Sequence, residues 1–312
     1  AGCGQGTTAP TERTGAQRSA LSTDGLVAAY GFDEGSGDAV HDATGAGQDA
    51  ELSGQHWVVG KFGSALEFEN AFLDVAASPA LDLTNAMTLT AWVLPKAGEQ
   101  AAAMVLAKEY EWDASYQLSA ETWWGGPQFD LNGSGWTSAS SSSRLPVTRW
   151  SHLAATYDGA SMKLYVDGAL ADETELAESP QVVDTPLRIG GMTWERFFHG
   201  RIDEVRIYNR ALSASEIAEV MAEPVTTGAT ADVTAPSVAM TAPVAGAVSG
   251  QVGLAAEASD GSGVGSVQFL VDDQPYGYPV QAPPYEWSWH SRAATAGSHE
   301  LRARATDFSG NA

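Results

Sequence analysis

The chain has 312 residues, 44% of them hydrophobic and 9% aromatic, which is enough for ordinary packed cores and long for one domain. Its 39 acidic and 16 basic residues give a net charge of −23, which argues against a nucleic-acid partner, because such binding relies on Lys and Arg neutralising phosphates. The single cysteine, Cys3, excludes an internal disulfide and a cysteine-based zinc site, and no apolar run approaches the ~20 residues that span a bilayer.

Residues 1–22 are polar and aperiodic and read as a flexible tail. Ala1-Gly2-Cys3 ahead of a polar stretch resembles the end of a bacterial lipoprotein signal, which would place lipid on Cys3; a free thiol in a tail fits the same residues. Regular structure is expected from Gly25, with Leu26, Ala28, Tyr30 and Phe32 on one strand face. A Gly-rich acidic loop through Asp33, Asp38, Asp42, Gly45, Gly47 and Asp49 follows. Strands are predicted at 65–68, 72–75 and 87–93, the last with Trp92 as a core anchor, and at 105–108 and 116–119 around a long hairpin tip. Others are predicted at 129–132, 151–157, 162–166, 187–191 and 201–208. Asp158-Gly159 and Asp167-Gly168 supply hairpin turns, whereas serines 138–143 read as a polar loop.

Strand parity in 201–208 places Asp203 with Val205 and Ile207, and Ile202, Glu204, Arg206 and Tyr208 on the other face. A carboxylate on a core-facing position must be hydrogen-bonded, paired or metal-bound. After this strand, Ser213-Ala214-Ser215-Glu216 has the spacing of a capping box, with Leu212 and Ile217 placed for a hydrophobic staple, which predicts a helix over 214–221. The predicted division is a tail at 1–22, a first domain at 23–223, a linker at 224–233 and a second domain at 234–312. The second domain carries several short alternating segments, as in a small β-sandwich, and stops one strand early, as if cut from a longer protein. The fold class is all-β.

Several segments in order carry a resemblance. Leu26 to Gly37, Gly60-Lys61-Phe62-Gly63-Ser64-Ala65-Leu66-Glu67-Phe68, Met87 to Val93, Trp150 to Gly159, Leu164 to Gly168 and Gly200 to Leu212 are similar to the bacterial LamG-like, concanavalin A-like jelly-roll family over about 24–222. The stretch from about 234 resembles the Ig-like repeats of bacterial surface proteins. The resemblance implies two antiparallel sheets in a concanavalin A-like β-sandwich, one concave and one convex, a frequent structural Ca²⁺, and glycan or protein binding beside a separate catalytic module. A small Ig-like sandwich would follow.

Calcium takes six to eight oxygens. Asp42 and Asp203 are the candidate side-chain ligands, with carbonyls near Gly45 and Gly47 and with Asp33 in reserve, since such a fold can bring its first and last strands together. The competing expectation is that Asp203 accepts backbone N–H bonds and Asp42 caps a turn. For sugars, which stack C–H faces on aromatic rings, the candidates are Tyr110, Trp112, Trp123, Trp124, Trp136 and Trp194, all in or near loops; they could instead cover sheet edges. No catalytic constellation is evident. The Glu67/Glu69 pair reads as a surface strand, Asp203 and Glu204 are expected to face opposite ways, and His152 reads as a satisfied structural histidine. The expected function is therefore a non-catalytic, secreted or cell-surface module that binds polysaccharide, with an Ig-like spacer. Two alternatives are a structural or adhesive protein with extracellular protein partners, and the accessory part of a glycan-degrading enzyme whose catalytic domain lies beyond Ala312.

Overall fold

The computed structural model describes residues 23–98, 102–110, 113–123, 125–194, 196–226, 234–261, 263–281, 283–307 and 311–312, the side chains of residues 110 and 113 excepted. The tail with Cys3, most of the linker, Trp112 and Trp124 lie outside the described residues. The first set of elements is β1 (Leu26–Tyr30), β2 (Ala39–Val40), β3 (Ala50–Glu51), β4 (His56–Val59), β5 (Ser64–Phe68), β6 (Leu73–Val75), β7 (Met87–Pro95), β8 (Ala103–Tyr110), β9 (Asp113–Glu121), β10 (Gln128–Asn132), β11 (Trp136–Ser140), β12 (Ser151–Tyr157), β13 (Ser161–Val166), β14 (Ala169–Glu175), β15 (Leu187–Ile189), β16 (Gly200–Tyr208) and helix α1 (Ala214–Ala222).

Two antiparallel sheets form a sandwich. The larger has eight strands in the order β14-β13-β12-β7-β16-β5-β4, with β1 also paired to β16; the smaller has six in the order β11-β10-β9-β8-β15-β6. Alternation explains the core: Met87, Leu89, Ala91 and Val93 of β7 meet Tyr116 and Leu118 of β9 and Phe129 and Leu131 of β10. All are buried, and each large side chain contributes about 1.5–3 kcal/mol of transfer free energy. Helix α1 begins with the expected capping box at Ser213 and Glu216, and it lays Ile217 and Val220 with Leu212 on the outer face of the larger sheet.

The second set is β17 (Ser237–Ala242), β18 (Gln251–Ser259), β19 (Val264–Val271), β20 (Gln274–Val280), β21 (Tyr285–His290) and β22 (Leu301–Asp307). It forms two three-stranded sheets, β17-β18-β21 and β20-β19-β22, around Leu254, Phe269 and Trp289.

Four expectations need correction. Of serines 138–143, expected in a loop, 138–140 belong to the edge strand β11 and only 141–143 lie outside a strand. Trp92 is buried but lies outside the inter-sheet core, because Leu89, Ala91 and Val93 take that face and the odd parity sends the indole outward. A bulge between Asp203 and Arg206, with Glu204 at φ 56°, shifts the parity of β16. Ile202, Val205 and Ile207 therefore share the core face, and Asp203 does not. The same bulge brings the Asp203 and Glu204 charges to bear on each other, although simple parity separates them. His152 is buried with neither ring nitrogen hydrogen-bonded to a described group, so it is not a satisfied histidine.

Candidate functional site

The outer face of the six-stranded sheet is built from the polar positions of the same alternating strands. With Tyr116, Leu118, Phe129 and Leu131 inward, Gln117 and Ser119 of β9 and Gln128, Asp130 and Asn132 of β10 turn outward. Register aligns Ser138, Asp130, Gln117, Ala107, Arg188 and Asp74 in one row across all six strands.

Asp130 is the hub of this row. Its Oδ2 accepts a hydrogen bond from Gln117 Nε2 at 2.9 Å, and its Oδ1 accepts from Gln128 Nε2 and Ser138 Oγ at 2.5 Å each. Burial pushes the Asp130 carboxyl above its ordinary value, opposed by these three donors and by the positive charge of Arg196. At the other end Arg188 pairs with Asp74 at 2.9 Å and with Glu109, whose carboxylate also accepts the Thr193 N–H at 3.0 Å.

That last bond fixes the loop following β15. The loop turns on Gly190 at φ 85°, where a Cβ would come within 2.1 Å of the Phe68 ring, so no other residue fits without displacing that ring. It then folds Met192 and Trp194 onto Met104, Ala107 and Ala114 of the sheet's outer face, with Arg196 stacked on Trp194 at 5.5 Å. The result is an indole and a guanidinium beside a carboxylate, two amides and a hydroxyl. Trp136, paired with Asn132, and Trp123, in the turn after β9, stand at the rim with 46% and 70% of their surfaces exposed.

Of the aromatic candidates, Trp194 and Trp136 thus belong to this face, Trp123 sits near it, and the side chain of Tyr110 is outside the described set together with Trp112 and Trp124. Asp130, Gln117 and Gln128 were not singled out from sequence. The available signal was a Gln-x-Asp-x-Asn strand beside a Gln-x-Ser strand, polar at every outward position.

The calcium candidates fall into two groups. Asp42 accepts the N–H groups of Ala29 and Thr44 at 3.1 Å and the Thr44 hydroxyl at 2.6 Å, capping its own turn, and its own N–H donates to Asp49 Oδ1 at 2.8 Å. Gly45 and Gly47 continue that turn at φ 71° and 82°. Asp203 lies elsewhere, its Oδ2 accepting the N–H of Lys61 at 2.7 Å and of Phe62 at 3.1 Å, while its Oδ1 meets no described donor. Asp33 accepts Ser64 N–H at 3.0 Å, and burial raises its carboxyl to about 6. Among the described residues no group of three or more His, Cys, Asp or Glu side chains is arranged to hold a metal ion. The turn-capping and N–H-accepting contacts are those that the competing expectation gives these aspartates.

Asp203 instead belongs to a second polar cluster, on the outer face of the larger sheet. His152, Trp92 and Asp203 form one cross-strand row, and Ala154, Thr90 and Arg206 form the next. Lys61 caps Trp92 at 4.2 Å, and the His152 ring meets Trp92 edge-on at 5.2 Å. Arg206 ties Glu204 at 3.1 Å and donates to the carbonyls of Val220 and Glu223, while Glu204 Oε2 accepts the Val225 N–H at 2.5 Å. This cluster is sealed. The carboxylate pair Glu67 and Glu69 is split between Arg201 and Lys96, each in its own surface ion pair.

The comparisons agree with this architecture. Residues 69–218 match the family model for the concanavalin A-like lectin/glucanases superfamily, and residues 236–303 match that for a bacterial Ig domain. No curated protein matches the chain in sequence. Among solved structures, domain 4 of AbnA, a GH43 extracellular arabinanase from Geobacillus stearothermophilus in complex with arabinotriose, is similar at TM-score 0.54 and 22% identity over 63% of this chain and 98% of that one. The binding domain of Paraclostridial Mosquitocidal Protein 1 gives 0.52 and 15% over 63% and 52%, and Trypanosoma rangeli sialidase with 2,3-difluorosialic acid gives 0.51 and 18% over 69% and 35%. The chain thus spans about half and about a third of the latter two, and at these identities the likeness shows the fold. The chain carries a domain of the concanavalin A-like lectin/glucanase superfamily followed by a bacterial Ig domain.

Proposed function

We propose that the first domain is a non-catalytic carbohydrate-recognition module acting outside the cell, and that it binds glycan on the outer face of its six-stranded sheet. The observation that carries this reading is the Asp130 hub, a carboxylate with two amides and a hydroxyl, held beside the Trp194–Arg196 loop. Sugar hydroxyls need acceptors and donors fixed in advance, and a pyranose or furanose C–H face needs an aromatic wall; this face supplies both. Asp203 is buried in its own cluster and Glu67 and Glu69 are held in separate surface ion pairs, so these carboxylates are not set to flank a glycosidic bond, which supports binding over hydrolysis. No helix among the described residues is long and apolar enough to cross a membrane.

The arabinanase domain of similar fold is in complex with arabinotriose, so a linear neutral oligosaccharide is the first probe. Affinity electrophoresis and titration calorimetry against arabino-, xylo- and gluco-oligosaccharides are expected to show binding that falls at least tenfold in Asp130→Asn and in Trp194→Ala. The surface control Glu69→Gln is expected to bind as the native chain does. Undiminished affinity in folded Asp130→Asn would remove the site from this face.

A further inference from the structure

We infer that the Ig-like domain carries a second carbohydrate site, independent of the first, in the groove between the edge strands β20 and β21. The two strands belong to different sheets, and the cleft between them, about 600 Å³, is lined by Tyr276, Gly277, Trp287, Ser288 and His290. Its aromatic wall is built rigidly. Gly277 has φ 73°, and a Cβ there would lie 2.3 Å from Cε2 and Nε1 of Trp287, so the indole is seated directly on the glycine backbone. Pro275 and Pro279 flank this position and restrict the strand, which lowers the ordering needed on binding.

Tyr278 completes a corner. It is 80% exposed and meets Trp287 edge-on, with centroids 6.5 Å apart and an 80° angle between the planes. A large tyrosine held out in solvent beside a partly buried tryptophan offers two perpendicular faces, one for a ring to lie on and one to flank it. Around them stand residues whose groups suit hydroxyls: Ser288, His290 and Tyr276, whose OH accepts the His290 N–H at 3.2 Å. Among the described residues no carboxylate, amine or guanidinium lines the cleft. In a chain of net charge −23, an aromatic cleft without a cation disfavours an anionic ligand and selects a neutral one. The chemical class that fits is a neutral polysaccharide, stacked on Trp287 and Tyr278. Two such sites on one chain would reinforce each other on a polymer by raising the effective concentration at the second site.

The test uses the full chain with Asp130→Asn, which disables the face proposed above, in affinity electrophoresis through gels containing arabinan, xylan, mixed-linkage glucan or galactomannan. The expected result is residual retardation in at least one gel, weakened about tenfold by adding Tyr278→Ala. The exposed tyrosine can be removed without emptying the core, and His290→Ala is the second variant, expected to weaken retention in the same gel. Free mobility of the Asp130→Asn chain in every gel would overturn the inference, as would retardation unchanged by both groove substitutions. Binding of a proline-rich peptide at Tyr278 with no polysaccharide retained would overturn it as well. If instead Asp130→Asn binds as the native chain does and Tyr278→Ala removes all retention, the first site fails and the second stands.

Discussion

The two outer faces of the sandwich are both polar, yet they treat their charges in opposite ways. On the eight-stranded sheet, Asp203, Glu204, Arg206 and His152 are buried beneath α1, the 60–63 turn and the segment around Val225, and several of their polar atoms meet no described partner. On the six-stranded sheet, Asp130 is equally buried but both its oxygens are satisfied, by side chains that stand in a row open to loops and to exposed tryptophans. The first arrangement fastens the chain's exit from the domain; the second fixes hydrogen-bonding groups where a ligand can reach their neighbours. Burial alone therefore does not distinguish the carboxylate of the proposed site from a structural one. What separates the two is whether the surrounding groups are closed over by the protein's own chain.

The contrast is tested most severely at Arg206. Its guanidinium holds Glu204 at 3.1 Å and accounts for two carbonyls of the segment leaving α1. Arg206→Met leaves Glu204 buried without its cation, so that at pH 8 it must either stay charged or take up a proton, which is expected to cost about 3–5 kcal/mol in denaturant unfolding of the first domain. Glycan binding by the fraction still folded should be unchanged. A loss of affinity in folded Arg206→Met would mean that the two faces are coupled.

Titration sharpens the difference next. Burial raises Glu204 from 4.5 to about 7 against the pull of Arg206, and raises Asp33 from 3.8 to about 6. Both acids bind protons more tightly when folded, so their contribution is present at low pH and is lost as pH rises through these values. His152 works in the other direction. Burial, then the charge of Arg206, lowers it from 6.5 to about 3, so its contribution is lost as pH falls from 6.5 towards 3. For these three groups the balance turns from rising to falling near pH 4 to 4.5, and the fall that belongs to Glu204 runs from about pH 4.5 to 7 at roughly 1.4 kcal/mol per pH unit while one proton is exchanged, offset by His152 up to pH 6.5. Glu204→Gln should flatten that limb in thermal melts, and His152→Phe should flatten the acid limb instead. A neutral-side limb that persists in Glu204→Gln would assign it to other groups.

The parts of the molecule legible from sequence were those where one physical signal dominates. Central strands such as 87–93 and 151–157 declare themselves by alternation, and α1 by its cap and staple. The edge strands β11, β14 and β20 did not, because edges are guarded by polar residues and proline, which erase the pattern that identifies a strand: Thr137-Ser138-Ala139-Ser140, Asp172-Glu173-Thr174-Glu175 and the two prolines of 274–280. The bulge at Glu204 was hidden for a different reason, since a left-handed residue in mid-strand leaves no trace in composition and yet reverses every face before it. At the site, Trp194, Trp136 and Trp123 stood out as aromatics in loops. Asp130 did not, because an outward carboxylate on a strand looks like any solvated surface until Gln117, Gln128 and Ser138 are seen to converge on it.

The smallest expected effect separates the tryptophans themselves. Trp123 is 70% exposed in its turn, so Trp123→Ala should change unfolding free energy by less than about 0.5 kcal/mol. Trp194 packs on Met104, Ala107, Ala114 and Met192, and its removal should cost about 1–3 kcal/mol as well as binding. If the ligand lies along the polar row, Trp123→Ala should leave affinity for short oligosaccharides intact and weaken only longer ones that reach the rim. Equal loss for short and long ligands would move the centre of the site from the Asp130 row to the turn at Trp123, and the comparison of the two faces would then have to be drawn between loops rather than sheets.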